Sequence, residues 1–448
     1  MSPEILENLS SKSAQLSSLH AQFKNQIFSM PPYSLGFPSG TAQSSYYTGK
    51  PISKDEIAFV SNVLEEKSIF PENTRIHKSG DQKYEILQAS VESPAKATTL
   101  TTSKGFVSIQ ITQGDHNSEL SQICEHLAKA TENASNDTQR KFLQQYIQSF
   151  RTGDLEVYRD SQKTWISDKA PIVENIFGFV EPYRDPYGIR AEFEGLVAIA
   201  DPHETLLLWR LVSQSDKFIR RLPWASPENN GKGPFEKALF EPPDFSSIHA
   251  LAYCSSIIFP GINLPNYNDI RQDYGFKNVI IANRMTAEST ALQWPFLDDD
   301  EMTIFKKHKY PAYYWWVVLH ELLGHGTCKL LAEESNGNQN FDMANPPVNP
   351  LNKKPIDNWY RPGQTWTGQF GDLATTVDEC RAELVGAYLM DDEELLELFG
   401  YTEKTEIKAS DLTYNLYQQL AVDGLKGLAN FNVNDMASSN HVSNENMS

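Results

Sequence analysis

Cysteine is scarce and scattered in this chain. Cys124, Cys254, Cys328 and Cys380 stand far apart, with no CxxC pair and no dense framework, a usage that fits a reducing compartment. Positive charge is also short: 39 Lys and Arg against 58 Asp and Glu leave a formal charge of −19 and a pI near 5.0. That balance argues against a nucleic-acid or anionic-membrane surface, which needs a basic patch to release counterions. Long apolar runs are missing as well. The richest, 312–319, is far too short to cross a bilayer, and the first 25 residues lack the apolar centre of a secretory signal. No internal repeat is present. These absences together predict a cytosolic protein without nucleic-acid or membrane partners.

What remains is an ordinary globular composition, 40% apolar over 448 residues, enough for two or three domains. A polar stretch to about residue 40 promises little core. DEIAFVSNVLEEK has helical apolar spacing, and alternation at Tyr84 and Ile86, and at Val107, Ile109 and Ile111, predicts half-buried strands. Two periodic helices follow, SELSQICEHLAKATENA and NDTQRKFLQQYIQSF. Strand-like pieces recur at GFVEPYR, GLVAIA and KNVIIAN, with one long helix, ETLLLWRLVSQSDKFIRRL, among them. From Pro311 onward the pattern is almost wholly helical, so an α+β protein is expected. The last seventeen residues, 432–448, are polar and unpatterned and are expected to be disordered.

Residues 320–325 read HELLGH. In the common metallopeptidase pattern two histidines at i and i+4 share a helical face, with a glutamate beside the first. Here they are five apart, and five residues of α-helix rotate by about 500°, leaving the second imidazole about 140° from the first. A single π-type turn at Leu322, Leu323 and Gly324 would restore convergence, because it inserts one residue per revolution. Then His320 and His325 can be neutral nitrogen ligands, and Glu321 can take a proton from water held at the metal. The other reading is a buried helix with two histidines hydrogen-bonded in the core.

After the loop NPPVNPLNKKPIDNWYRPGQTWTGQ a third ligand is available in GDLATTVDECRAELVGAYLM, where Leu373, Val377, Cys380, Leu384 and Ala387 fall at helical spacing and predict a buried stripe. Glu379 and Glu383, at i and i+4, adjoin it. Carboxylates so close to an apolar stripe need a partner. One of the two can be the third ligand while the other orients a histidine. An ion pair to Arg381 or a solvated helix face is the alternative.

HELLGH followed some fifty residues on by DECRAE resembles the dipeptidyl peptidase III family of zinc exopeptidases, with its HExxGH and EECRAE motifs. Further stretches are similar to the family in the same order: SYYTGKPIS, WISDKAPIVENIFGFVEPYRDPYG, RAEFEGLVAI, PPDFSSIHAL, PGINLPNYNDIRQDYGFKNV and NWYRPGQTW. The resemblance implies one zinc ion on His320, His325 and Glu379, with Glu321 as general base. Asp378 stands where the family has glutamate, beside the ligands with Glu383. The resemblance also implies a peptide site. Glu181 would pair with the free ammonium of a short peptide, Asn263 and Asn266 would bind its first peptide unit, and Tyr183 would donate to the scissile carbonyl. On the residues alone the preferred readings are an ion pair to Arg184 for Glu181, a core aromatic for Tyr183 and an ordinary turn for Asn263 and Asn266.

The implied fold has two lobes flanking a cleft: a mixed lobe with a small β-barrel, here 41–201 with 245–284, and a mainly α-helical zinc-binding lobe, 202–244 with 285–431. Family chains continue past the point matching YQQLAVDGLKGLANFNV. The continuation carries a second carbonyl-assisting histidine, a role not given to His441, and arginines for the far end of the peptide. The helical lobe is therefore expected to be incomplete, and a truncated, catalytically weak zinc- and peptide-binding remnant is the alternative function. Where vertebrate relatives carry an acidic ETGE motif for an adaptor, residues 351–354 read LNKK, so that interaction is not implied.

Overall fold

The computed structural model describes residues 3–27, 44–94, 96–100, 107–238, 240, 243–288, 297–428, 431–432 and 437–438. The fold is α+β, with two five-stranded sheets, one of them curled into a half-barrel. The chain divides into two compact units, Met1–Leu127 with Ile147–Leu155 and Glu181–Glu192, and Ala128–Tyr146 with Glu156–Val180 and Phe193–Ser448. This partition differs from the lobes expected from the resemblance, because the second sheet groups with the HELLGH segment.

The first unit holds β1 (Tyr47–Gly49), β2 (Thr74–Gly80), β3 (Lys83–Ala89), β4 (Thr98–Leu100) and β5 (Ser108–Asp115), in the order β1-β2-β3-β5-β4. Alternation does what it predicts at Tyr84, Ile86 and Ile109, all buried. They pack with Ile57, Val60, Val63 and Leu64 of the helix Lys54–Glu66. That helix starts at a capping box in which Ser53 accepts from the backbone of Glu56 and the Glu56 carboxylate accepts from the backbone of Ser53. The N-terminal helices Pro3–Ser10 and Ala14–Ile27 contribute little to the core, as their polar composition predicts.

The second unit holds β6 (Val173–Phe179), β7 (Phe193–Ala200), β8 (Asp244–Cys254), β9 (Gly261–Leu264) and β10 (Lys277–Ile281), in the order β6-β7-β8-β10-β9. β10 pairs parallel with β8 and antiparallel with β9, and all five of its residues are buried. Four helices of this unit matter for the site: α1 (Asn268–Asp273), α2 (Asp299–Leu319), α3 (Ala374–Leu389) and α4 (Ala409–Gly427). Every residue of α2 from Pro311 to Leu319 is buried, the mark of a helix enclosed by core. Asn415 and Gln419 of α4 brace it, donating to the carbonyls of Phe305 at 3.0 Å and Lys309 at 3.1 Å.

Several expectations are corrected. The long helix over 204–222 is broken into Pro202–Val212 and Ser215–Ile219. The strand expected at GFVEPYR lies earlier and ends at Phe179, just ahead of Pro182. The stretch from Pro311 reads as helix apart from the proline-rich loop 345–369; the non-helical segment is longer than that, running from Thr327 to Thr365 with isolated bridges at Ala332, Glu333 and Val348. Prolines at 346, 347, 350, 355 and 362 remove the donors a helix needs. The buried stripe on α3 is also wrong. Of its members Ala387 is buried, but Leu373 and Leu384 are 57% and 64% exposed and Cys380 is exposed, while Ala374, Glu379, Ala382, Val385, Gly386 and Leu389 face inward. The tail expected to be disordered, 432–448, lies outside the described residues apart from 432, 437 and 438. Among the described residues no helix is long and apolar enough to cross a membrane.

Candidate metal centre

At His320 the regular turns of α2 give way to a π-helical turn over His320–His325. The wider turn resolves the five-residue spacing: Nε2 of His325 lies 3.0 Å from Nε2 of His320. Glu379 of α3 closes a triangle, its Oε2 3.4 Å from His320 Nε2 and 3.7 Å from His325 Nε2. Ligands at about 2.0–2.1 Å on a tetrahedral zinc stand about 3.3–3.4 Å apart, and the three observed separations bracket that value. Among the described residues this is the one group of three such donors within reach of a common ion.

Asp378 fixes the tautomer. Its Oδ2 lies 3.2 Å from His325 Nδ1, so a proton held there leaves the inward Nε2 lone pair for a cation. The donor set therefore fits zinc. Burial alone would depress His325, but Glu379 and Asp378 hold its proton up to about 9. Against the rise that burial would cause, His325 and His320 hold Glu379 below the usual carboxylate range, and His325 does the same for the half-exposed Asp378. Nδ1 of His320 is buried without a hydrogen-bond partner among the described residues. Burial pushes the Glu383 carboxyl up to about 7.

Glu321 is buried beside the triangle. A Cβ on Gly261 of β9 would come within 2.9 Å of its Cγ and Oε1, so glycine is what lets the strand lie flush against this carboxylate. Burial raises Glu321 above its ordinary value, although both histidines pull the other way. Asn263, also on β9, is buried and committed: its Nδ2 donates to the Glu321 carbonyl at 2.9 Å and to Asn278 Oδ1. Asn263 Oδ1 is buried and has no hydrogen-bond partner among the described residues. Asn266 Nδ2 makes a long contact, 3.5 Å, to the Val180 carbonyl.

Two contacts explain why the π-turn and α3 come so close. A Cβ on Gly324 would meet Ala382 at 2.8–2.9 Å, and one on Gly386 would meet Trp316 at 2.9 Å. Glu181 and Tyr183 belong to the first unit, on a turn built around Asp185. That carboxylate accepts from the backbone of Tyr187, Ile189 and Arg190 and, at 2.6 Å, from the Tyr47 hydroxyl. Glu181 is buried and its carbonyl accepts from the Glu192 backbone at 3.1 Å. The second unit thus brings together His320, His325, Glu379, Glu321, Asp378 and Asn263. Sequence reasoning missed Arg271 and Thr327 and read Arg381 only as an ion-pair partner; all three bind main-chain carbonyls around the turn. No periodicity marks such contacts.

Known proteins give a consistent picture. Dipeptidyl peptidase 3 of Dictyostelium discoideum is 39% identical over 380 residues, covering 84% of this chain and 53% of the relative. The Homo sapiens protein of the same name is 36% identical over 399 residues, covering 86% and 52%. The chain spans about half the length of the curated relatives it matches. Among solved structures, dipeptidyl-peptidase III from a Corallococcus strain superposes with a TM-score of 0.62 at 16% identity, covering 99% of this chain and 79% of that one. DPP III from Caldithrix abyssi gives 0.59 at 18% identity, covering 98% and 73%. At that identity the likeness establishes the fold. The model of peptidase family M49 matches residues 19–443, and the chain belongs to that family.

Proposed function

We propose that this chain acts as a zinc-dependent exopeptidase releasing dipeptides from the free N-terminus of short peptides. The observation that carries the reading is the triangle of two imidazole nitrogens and one carboxylate oxygen, set by the π-turn, with a buried Glu321 beside it. Zinc held by His320, His325 and Glu379 would supply a Lewis acid that polarises the scissile carbonyl and acidifies water. Glu321 takes the proton from the attacking water and returns it to the leaving amine. Its raised affinity for a proton suits that shuttle.

By the resemblance of GFVEPYRDP and GINLPNY, Glu181 pairs with the substrate ammonium. Tyr183 donates to the carbonyl oxygen as charge develops there. Asn263 Oδ1 and the Asn266 amide receive the first peptide unit. The test is zinc content measured beside dipeptide release from a chromogenic dipeptidyl substrate, for the chain and for Glu321→Gln. Expected is one zinc in both and hydrolysis lowered by several orders of magnitude in the variant, because the proton acceptor is gone. Turnover unchanged in Glu321→Gln removes that residue from the mechanism. Zinc bound without any release favours the binding-remnant reading.

A further inference from the structure

The π-turn that carries the metal donors also leaves main-chain carbonyls without helical partners, because the wider ladder ends at His325. Four main-chain carbonyls in the turn and just past it, at alternate residues, accept from side chains. Asn263 Nδ2 donates to Glu321 O at 2.9 Å, Thr327 Oγ1 to Leu323 O at 2.5 Å, Arg271 Nη2 to His325 O at 2.6 Å, and Arg381 Nη2 to Thr327 O at 2.9 Å. Only Thr327 is local. The others come from β9, α1 and α3, so three elements grip one turn.

We propose that Arg271 and Asn263 are positioning residues that clamp the π-turn, Arg271 through the main chain of the metal donor His325 and Asn263 through that of Glu321. Arg271 is the stronger arm. Its bond is charge-assisted, it places a cation at the C-terminal end of a helical segment, and it is itself held. The guanidinium lies over the Phe276 ring at 5.2 Å, and the Arg271 carbonyl accepts from Lys237 Nζ at 3.0 Å. Phe276 closes the same corner, for a Cβ on Gly326 would stand 2.7 Å from its ring. A turn whose two ends are held from outside cannot relax to regular α-helix, in which the imidazoles would diverge.

The effect on zinc rests on the metal reading above; the effect on the turn does not. Hydrogen exchange of the metal-free chain over residues 320–328 and zinc affinity by chelator competition would be measured for the chain, Arg271→Met and Arg271→Lys. Arg271→Met keeps the aliphatic packing and removes the donor. Faster exchange confined to 320–328, with α4 unchanged, and zinc bound about 10- to 100-fold more weakly are expected, the usual range for losing a hydrogen bond that orients a ligand. Arg271→Lys retains a donor and should recover part of both. Unchanged exchange overturns the clamp, and faster exchange with unchanged zinc affinity overturns its role in placing His325. If the unaltered chain takes up no zinc while the exchange difference persists, the clamp stands and the metal reading fails.

Discussion

Gly324→Ala tests whether the contact between the π-turn and α3 sets the metal geometry. Gly324 is not among the glycines with a positive φ, so the backbone itself does not require glycine there. Space does: the added Cβ would stand 2.8 Å from Ala382 Cα and 2.9 Å from its Cβ and carbonyl oxygen. Carbon atoms settle at about 3.5–4.0 Å, so relief demands that the two elements part by about 0.7–1 Å. Gly324 adjoins His325, and Ala382 lies one turn beyond Glu379. The donor atoms, now 3.7 Å apart, would separate with them, whereas zinc–ligand distances tolerate about 0.2 Å.

Two quantities should therefore respond differently. Overpacking costs about 1–3 kcal/mol, and the better helix preference of alanine returns about 1 kcal/mol, so metal-free stability should fall modestly. Zinc affinity should fall by more than about 100-fold, beyond the loss expected when only an orienting hydrogen bond is removed. Thermal unfolding of the metal-free protein and chelator competition give the two numbers. A variant that unfolds at a lower temperature yet binds zinc as tightly as the parent would refute the link between packing and donor geometry.

His325→Ala should abolish stoichiometric zinc, read by metal analysis after dialysis, since two remaining protein ligands rarely hold a catalytic zinc. Chelation of the parent should lower its melting temperature by a zinc-dependent amount, corresponding to about 4 kcal/mol when free zinc exceeds Kd a thousandfold. Because Glu379 and Asp378 hold a proton on His325 up to about 9, zinc uptake near neutral pH should release close to one proton, measured as buffer-dependent binding heat. In the metal-free chain that proton's stabilisation is complete below the ordinary histidine value of about 6.5 and is lost as pH rises through the raised value. Burial would raise Glu56, but Lys78, Tyr84 and the Ser53 backbone pull it down to about 2. Its contribution should persist above about 4.5 and disappear as pH falls through the lowered value, and Glu56→Gln should flatten that part of an acid-unfolding curve.

The fold was legible where burial follows a period. Helices over 117–132 and 137–152 and strands at Lys83–Ala89 and Ser108–Asp115 stand where alternation and 3.6-residue spacing put them. β9 escaped notice because GINL is short and buried throughout, so it shows no alternation to read. β8 begins with buried residues and ends largely exposed, a drift that neither template matches. After Gly326 the loop at 345–369 was legible from its prolines, which remove helical donors, whereas the non-helical path of 327–344 holds no proline to mark it.

The site was legible in its residue types and in its need for a π-turn, yet the residues alone could not choose between Glu379 and Glu383. The reason lies in which face of α3 is buried. Ala382, Gly386 and Leu389 lie within about 80° of Glu379 around the helix, whereas Cys380, Leu373, Leu384 and Val377 lie about 100–160° away on the other side. Hydrophobic periodicity favours the larger side chains and so selects the wrong face. What orients α3 is close approach, Ala382 against Gly324 and Gly386 against Trp316, and close approach depends on side chains that are nearly absent. With that face turned inward, Glu379 meets the imidazoles and Glu383 sits to one side, so the third donor is selected by the smallest residues of the helix.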